Sequence, residues 1–186
     1  MREKHGYYLE DLSVGMTSIY AKTVTDADVV MFAGISGDTN PVHLDATFAD
    51  QTAFKGRIAH GMLSASFIST VLGTRLPGPG CIYMSQSLRF RAPVKAGDTV
   101  TARVTVKAID QDKKRVTLDT VCSVDDKVVI DGEALLMVSR HAEVPDQVAE
   151  AKVEAKGNGQ PKPANGALPG RTNSPSPPMS SSCMPA

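Results

Sequence analysis

Residues 1–144 predict an α+β fold, with an antiparallel curved sheet wrapped around a central buried helix. Three observations lead there. Residues 100–107 alternate apolar and polar side chains with the period of a strand. Residues 61–74 are apolar around more than one face of a helix. The order of elements is a strand, then helices, then four strands.

"TSIYAKTVT" supplies the first strand. Thr25 and Asp28 form a T-x-x-D capping box that opens a helix carrying Val29, Val30, Phe32 and Ala33, and Gly37 ends it. The phrase "GDTNPVHLD", residues 37–45, follows as a loop, with a short helical turn over 46–51. "HGMLSASFISTVLGTRLPGPG" is the central helix: Leu63, Phe67 and Val71 fall on one face and Met62, Ile68 and Leu72 on others. A helix so apolar around its girth is expected to be enclosed, and "LPGPG" stops it. "CIYMSQSLRF" then leads through the turn phrase "RAPVKAGD" into "TVTARVTVKAI", where Val100, Ala102, Val104, Val106 and Ala108 share a side. "DQDKK" turns into "RVTLDTVCSV", and "DDK" turns into "VVIDGEALLMV". The whole reads as a meander of long strands.

After residue 144 the pattern stops. Residues 145–186 hold eight of the 12 prolines and no aromatic residue, so nothing there buries enough apolar surface to offset ordering entropy. This stretch is expected to be a Pro/Ser/Gly-rich disordered tail, with "VPDQVAEAKVEAK" as a frayed helix at most.

Charge excludes several classes. With 20 basic and 20 acidic residues the chain is formally neutral, without the basic footprint of a nucleic-acid protein or a polybasic membrane patch. No apolar window reaches the length of a membrane span, and the N-terminus is charged, with no apolar leader core. Cys81, Cys122 and Cys183 are widely spaced and odd in number, so they read as reduced thiols of a cytoplasmic protein.

The residues able to do chemistry gather in two phrases. Asp38 and His43 lie five apart on a loop that Pro41 stiffens, with Asn40 biased to an extended conformation. Such a loop can hold one water between carboxylate and imidazole, an arrangement suited to general acid/base work. The same residues are also ordinary turn formers, with Asp38 closing the loop. Gly61 falls at the start of the central helix, where free amides and the positive end of the helix dipole can stabilise a developing oxyanion; close packing at the helix entry would equally require a glycine. His60 suits a helix cap or an orienting role. Ser69, two turns into the helix, is expected to face inward with Met62, where its hydroxyl could bond a carboxylate or its own helix. The His and Asp spacings match no metal motif.

Taken together, "SGDTNPVHLDATFA", "IAHGMLSASFIS" and "GPGCIYMSQSLRFRAPVKAGDTVTARVTV" resemble the MaoC-like (R)-specific enoyl-CoA hydratases (hydratase 2), over about residues 12–139. The resemblance implies a hot-dog fold, a homodimer and the reversible syn hydration of a trans-2-enoyl-CoA, short chains such as crotonyl-CoA being expected. It also implies a place in fatty acid or polyhydroxyalkanoate metabolism. By the matching positions, Asp38 and His43 activate the water and Gly61 offers its amide to the thioester carbonyl. Asn40 stabilises the loop, and Ser69 supports the aspartate. No metal or other cofactor is implied, and the partners are an acyl-CoA thioester and a second copy of the chain, without nucleic acid or membrane. The alternatives are a 3-hydroxyacyl-carrier-protein dehydratase running the same chemistry backwards, a hot-dog acyl-CoA thioesterase, and a non-catalytic acyl-binding module. A thioesterase should carry a carboxylate on the central helix, and residues 60–74 contain none.

Overall fold

The computed structural model describes residues 5–143. The expected tail at 145–186, its frayed helix and Cys183 lie outside the described residues. A 3-10 turn at Leu9–Asp11 precedes β1 (Thr17–Thr23). Three helices follow, α1 (Asp26–Ser36), α2 (Pro41–Leu44) and α3 (Ala46–Asp50), then the long α4 (Gly61–Thr74). Four strands come next, β2 (Ile82–Phe90), β3 (Thr99–Asp110), β4 (Arg115–Val124) and β5 (Lys127–Met137), and a 3-10 turn at His141–Glu143 ends the order.

The expected capping box forms. Thr25 Oγ1 accepts from Asp28 N–H at 3.2 Å, and Asp28 accepts from Thr25 N–H at 2.9 Å. The Lys22 ammonium, 2.7 Å from Asp28, holds that carboxyl down at about 2, with the bonds from Thr25 adding to the effect. Gly37 ends α1 at φ +77°, a left-handed conformation that glycine adopts without a Cβ penalty.

All strand pairs are antiparallel and the sheet order is β1-β3-β4-β5-β2. A meander would pair β2 with β3. Instead β2 pairs with β5 at one edge, and residues 91–98 carry the chain across to the far side, where Val24 N–H donates to Asp98 O and Gly97 N–H to Val24 O. A second correction lies within β3. Val100, Ala102, Val104 and Val106 are at most 1% exposed, as the alternation requires, but the register shifts between Val106 and Ala108. That bulge turns Ala108 outward and brings Ile109 against the core.

Helix α4 packs on β1, β3, β4 and β2. Leu63, Ala65, Phe67, Ile68, Val71 and Leu72 are buried, each large side chain contributing about 1.5–3 kcal/mol. Its girth is not wholly enclosed, however. Met62 is 54% exposed, and Ser66 and Ser69 are exposed beside it. Small hydroxyls make that bare stripe tolerable, because Ser66 donates to Leu63 O at 2.6 Å and Thr74 to Thr70 O at 2.7 Å within the helix.

Candidate active site

The stiff phrase between α1 and α3 folds as two linked turns. Asn40 caps α2 through its side-chain oxygen, which accepts from Val42 N–H at 3.2 Å, and Pro41 takes the first helical position, where no N–H is needed. His43 therefore stands on a one-turn helix rather than on open loop. Asp45 caps α3, accepting from Thr47 N–H at 2.8 Å and Phe48 N–H at 3.0 Å. Asp38 divides its oxygens: Oδ1 accepts from Asn40 N–H at 3.2 Å and shapes the turn, while Oδ2 faces His43 Nε2 at 4.0 Å. The turn role and the acid/base role of this aspartate coexist.

Two backbone carbonyls fix the imidazoles. A carbonyl only accepts, so His43 Nδ1–H donates to Ile58 O at 2.8 Å, and in the neutral ring Nε2 carries the lone pair, toward Asp38. His60 Nε2–H donates to Asp38 O at 2.9 Å, leaving Nδ1 with a lone pair and no partner. The two rings lie 3.8 Å apart between centroids, and Phe32 tilts against His60 at 5.1 Å. His60 occupies the N-cap position of α4 without capping it through its side chain; it orients the Asp38 segment instead.

The 4.0 Å gap between His43 and Asp38 is too long for a direct hydrogen bond and fits one bridging water. Asp38 is half exposed while His43 is buried, so the pair opens on one side only. It borders a cavity of about 440 Å³ that Gly61 also lines. As the first helical residue, Gly61 has an amide with no intrahelical acceptor, at the positive end of a 14-residue helix. Packing explains this glycine too: a Cβ there would lie 2.6 Å from the ring of Phe90.

Ser69 is not inward. It is exposed with Met62, and no hydrogen bond joins it to Asp38 among the described residues. The phase of α4 gives the inward place to Ser64 instead, which is 1% exposed and lines the cavity with its Oγ unpaired. Sequence reasoning also missed Phe54, Phe90 and Ile130 as cavity walls. Cys122 lies beneath, its thiol 3.6 Å from Ser64 O and pushed by burial up to about 12, far from a nucleophile's range.

One carboxylate and two imidazoles thus meet at the end of an apolar cavity beside free amides. The donor atoms of Asp38, His43 and His60 lie within 4.8 Å of one another, a set that could hold a metal ion. The lone pair on His43 and the water-sized gap equally suit proton transfer to and from water.

Residues 15–128 match the family model described as MaoC like domain. The chain is 58% identical over 132 residues to a protein of Rhodospirillum rubrum named (R)-specific enoyl-CoA hydratase, covering 71% of this chain and 92% of that one. It is 53% identical over 136 residues to a Methylorubrum extorquens protein named 3-hydroxybutyryl-CoA dehydratase, covering 73% and 87%. Among solved structures, the (R)-hydratase of Aeromonas caviae involved in PHA biosynthesis superposes with a TM-score of 0.68 at 45% identity, covering 69% of this chain and 98% of that one.

Proposed function

The chain belongs to the family of MaoC-like domains, in the α+β hot-dog fold, and from that premise we propose that it is an (R)-specific enoyl-CoA hydratase, a hydro-lyase. The observation that carries this reading is the Asp38–His43 pair, held 4.0 Å apart at the cavity beside the N-terminus of α4.

The geometry supports each step of hydration. A water between Asp38 Oδ2 and His43 Nε2 is oriented by the carboxylate, and the Nε2 lone pair takes its proton as the oxygen adds to Cβ of the enoyl thioester. The electrons move through Cα toward the carbonyl oxygen, where the Gly61 amide stabilises the enolate. The same unit returns a proton to Cα, so both additions come from one face and the product is the 3-hydroxyacyl thioester. Asn40 keeps His43 in place by capping α2. Ser69 has the matching position for a supporting residue, but it is exposed on α4 and no hydrogen bond joins it to Asp38 among the described residues.

Short acyl chains fit the name of the Methylorubrum relative, and polyhydroxyalkanoate metabolism fits the involvement of the Aeromonas (R)-hydratase in PHA biosynthesis. A homodimer is supported by the apolar side chains left bare: Ile82, Tyr83, Met84 and Phe90 on edge strand β2, and Met62 on α4, are each at least 40% exposed. Met62 and Phe90 also line the cavity, so a second copy over this face would help close the site. No described helix is long and apolar enough to cross a membrane, and a CoA thioester substrate suits a cytoplasmic enzyme. The test is crotonyl-CoA. Loss of the conjugated thioester absorbance without free thiol is the expected result, and thiol release with the double bond intact would mark a thioesterase instead.

A further inference from the structure

The cavity has two lips. Phe54 and Ile58 line it from the segment joining α3 to α4, and Pro93 and Val94 from the crossing segment after β2. Ala59 N–H donates to Val94 O at 2.7 Å and ties the lips together. The charges gathered on them are mainly basic, Lys55 and Arg57 on one and Arg91 and Lys95 on the other, with Asp98 accepting from Lys95 N–H at 2.8 Å. Lys55 and Arg57 flank Gly56, and Lys95 Nζ reaches across from the other lip to within 3.8 Å of the point that a Cβ on Gly56 would occupy. At φ +134° Gly56 adopts a backbone conformation that L side chains avoid.

These cations are unequally committed. Arg57 is held by Asp26 at the start of α1. Lys55 Nζ has the main-chain oxygen of Asp50 at 3.4 Å, and among the described residues no carboxylate pairs with Lys55 or Lys95. Two exposed ammonium groups therefore stand without an ion-pair partner among the described residues, on the rim of a mostly apolar cavity that opens at a proton-transfer pair. The cavity's own cation, Arg91, is held by Asp131 through two contacts, so the mostly apolar cavity suits an acyl chain and leaves no uncommitted cation for phosphate within it. A CoA thioester brings both, with its pyrophosphate and 3′-phosphate remote from the reacting carbons. Lysine clusters are point-charge receptors for such groups and raise local anion concentration at a cleft.

We propose that Lys55 and Lys95, with Arg57 beside them, receive the phosphate groups of the CoA part of the substrate, so that the site selects a free CoA thioester over one carried on a protein. This rests on the hydratase reading and names its carrier. A carrier-protein thioester presents only a single phosphodiester on its pantetheine arm and would leave much of the cluster unused.

The experiment uses the full chain and its Lys55→Met, Lys95→Met and double variants, assayed with crotonyl-CoA, crotonyl-pantetheine and a crotonyl-carrier protein. Crotonyl-pantetheine has the same acyl group and thioester with no phosphate. The expected result is a KM for crotonyl-CoA raised about threefold to fivefold by each change and about tenfold or more by both, with kcat unchanged. kcat/KM for crotonyl-pantetheine should stay within about twofold of wild type, the usual size of a surface change away from a contact. Added salt should raise the wild-type KM for crotonyl-CoA more than that of the double variant. Variants that affect both small thioesters alike, or neither, overturn the proposal, as does a wild type that handles crotonyl-pantetheine or the carrier-protein thioester as well as crotonyl-CoA. A wild type that hydrates none of the three overturns the hydratase reading itself.

Discussion

Beneath α4, Val104 and Val106 of β3 meet Val116 and Leu118 of β4, each at most 1% exposed and carrying no polar group. Thr120, the polar residue of this region, is equally buried and bonded, accepting from Gln86 Nε2 at 2.9 Å. At the N-terminal end of the same helix, His60 and Ser64 are buried just as deeply, yet His60 Nδ1 and Ser64 Oγ have no partner. An unpaired buried polar group costs about 1–3 kcal/mol, so two such atoms at a cavity wall are places where water or a substrate can bond. The sheet side of α4 stores stability, and the loop side gives some of it up for chemistry.

The largest separation of the two regions should come from the acid/base pair. Asp38→Asn and His43→Gln should each lower kcat by at least about a hundredfold, the low end for general acid/base catalysis. The double variant should be little worse than either single, because the residues act as one unit. Thermal unfolding of Asp38→Asn should move little, since Asp38 is half exposed and asparagine can still accept from Asn40 N–H. If the variants unfold earlier and turn over normally per folded molecule, the phrase is only a turn.

Leu118→Ala is the converse. Leu118 is fully buried on β4, and truncation there should cost about 2–5 kcal/mol of stability, read as a lower denaturation midpoint. kcat per folded molecule should hold. A loss of kcat as large as that of Asp38→Asn would show that the two regions are not separable.

How far each region was legible follows from the same contrast. Strands β3 and β4 could be read because alternation is a local signal that burial enforces. The face of Ala108 could not, because the bulge that turns it outward is a property of the pair β3–β4 and not of either strand's pattern. Nor could the edge place of β2, since its pairing with β5 is chosen by tertiary packing. Asp38 and His43 were legible because a stiff turn keeps near neighbours together. Ser64 was not. Serines 64, 66 and 69 look alike in the sequence, and an apolar girth hides which of them the helix phase turns toward the cavity.

Gly61→Ala probes the border of the two regions. The added methyl would meet Phe90, whose ring would have to swing aside. We expect kcat to fall about tenfold, less than loss of a whole oxyanion donor, through crowding of the thioester oxygen. Adding Phe90→Ala separates the causes, because it removes the ring while leaving the methyl beside the amide. Persistence of the loss supports the amide's role, and full recovery would make Gly61 a packing glycine.

The smallest expected effect lies away from both regions, at the N-terminus of α1. Asp28 closes the capping box and pairs with Lys22 at 2.7 Å, and its carboxyl is held down at about 2, first by Lys22 and then by the Thr25 bonds. An unfolded aspartate titrates near ~4. The native state therefore binds the proton less readily than the unfolded one. The stabilisation is fully present above about pH 4 and drains away as pH falls toward about 2. Asp28→Asn should cost about 1 kcal/mol at pH 7, a typical capping value, with kcat unaltered. Urea midpoints at pH 7, 4 and 2.5 give the check: the gap between wild type and variant should hold at the first, begin to narrow at the second and be small at the last. A gap that stayed constant to pH 2.5 would mean that the box acts through shape alone and that the Lys22 charge contributes nothing.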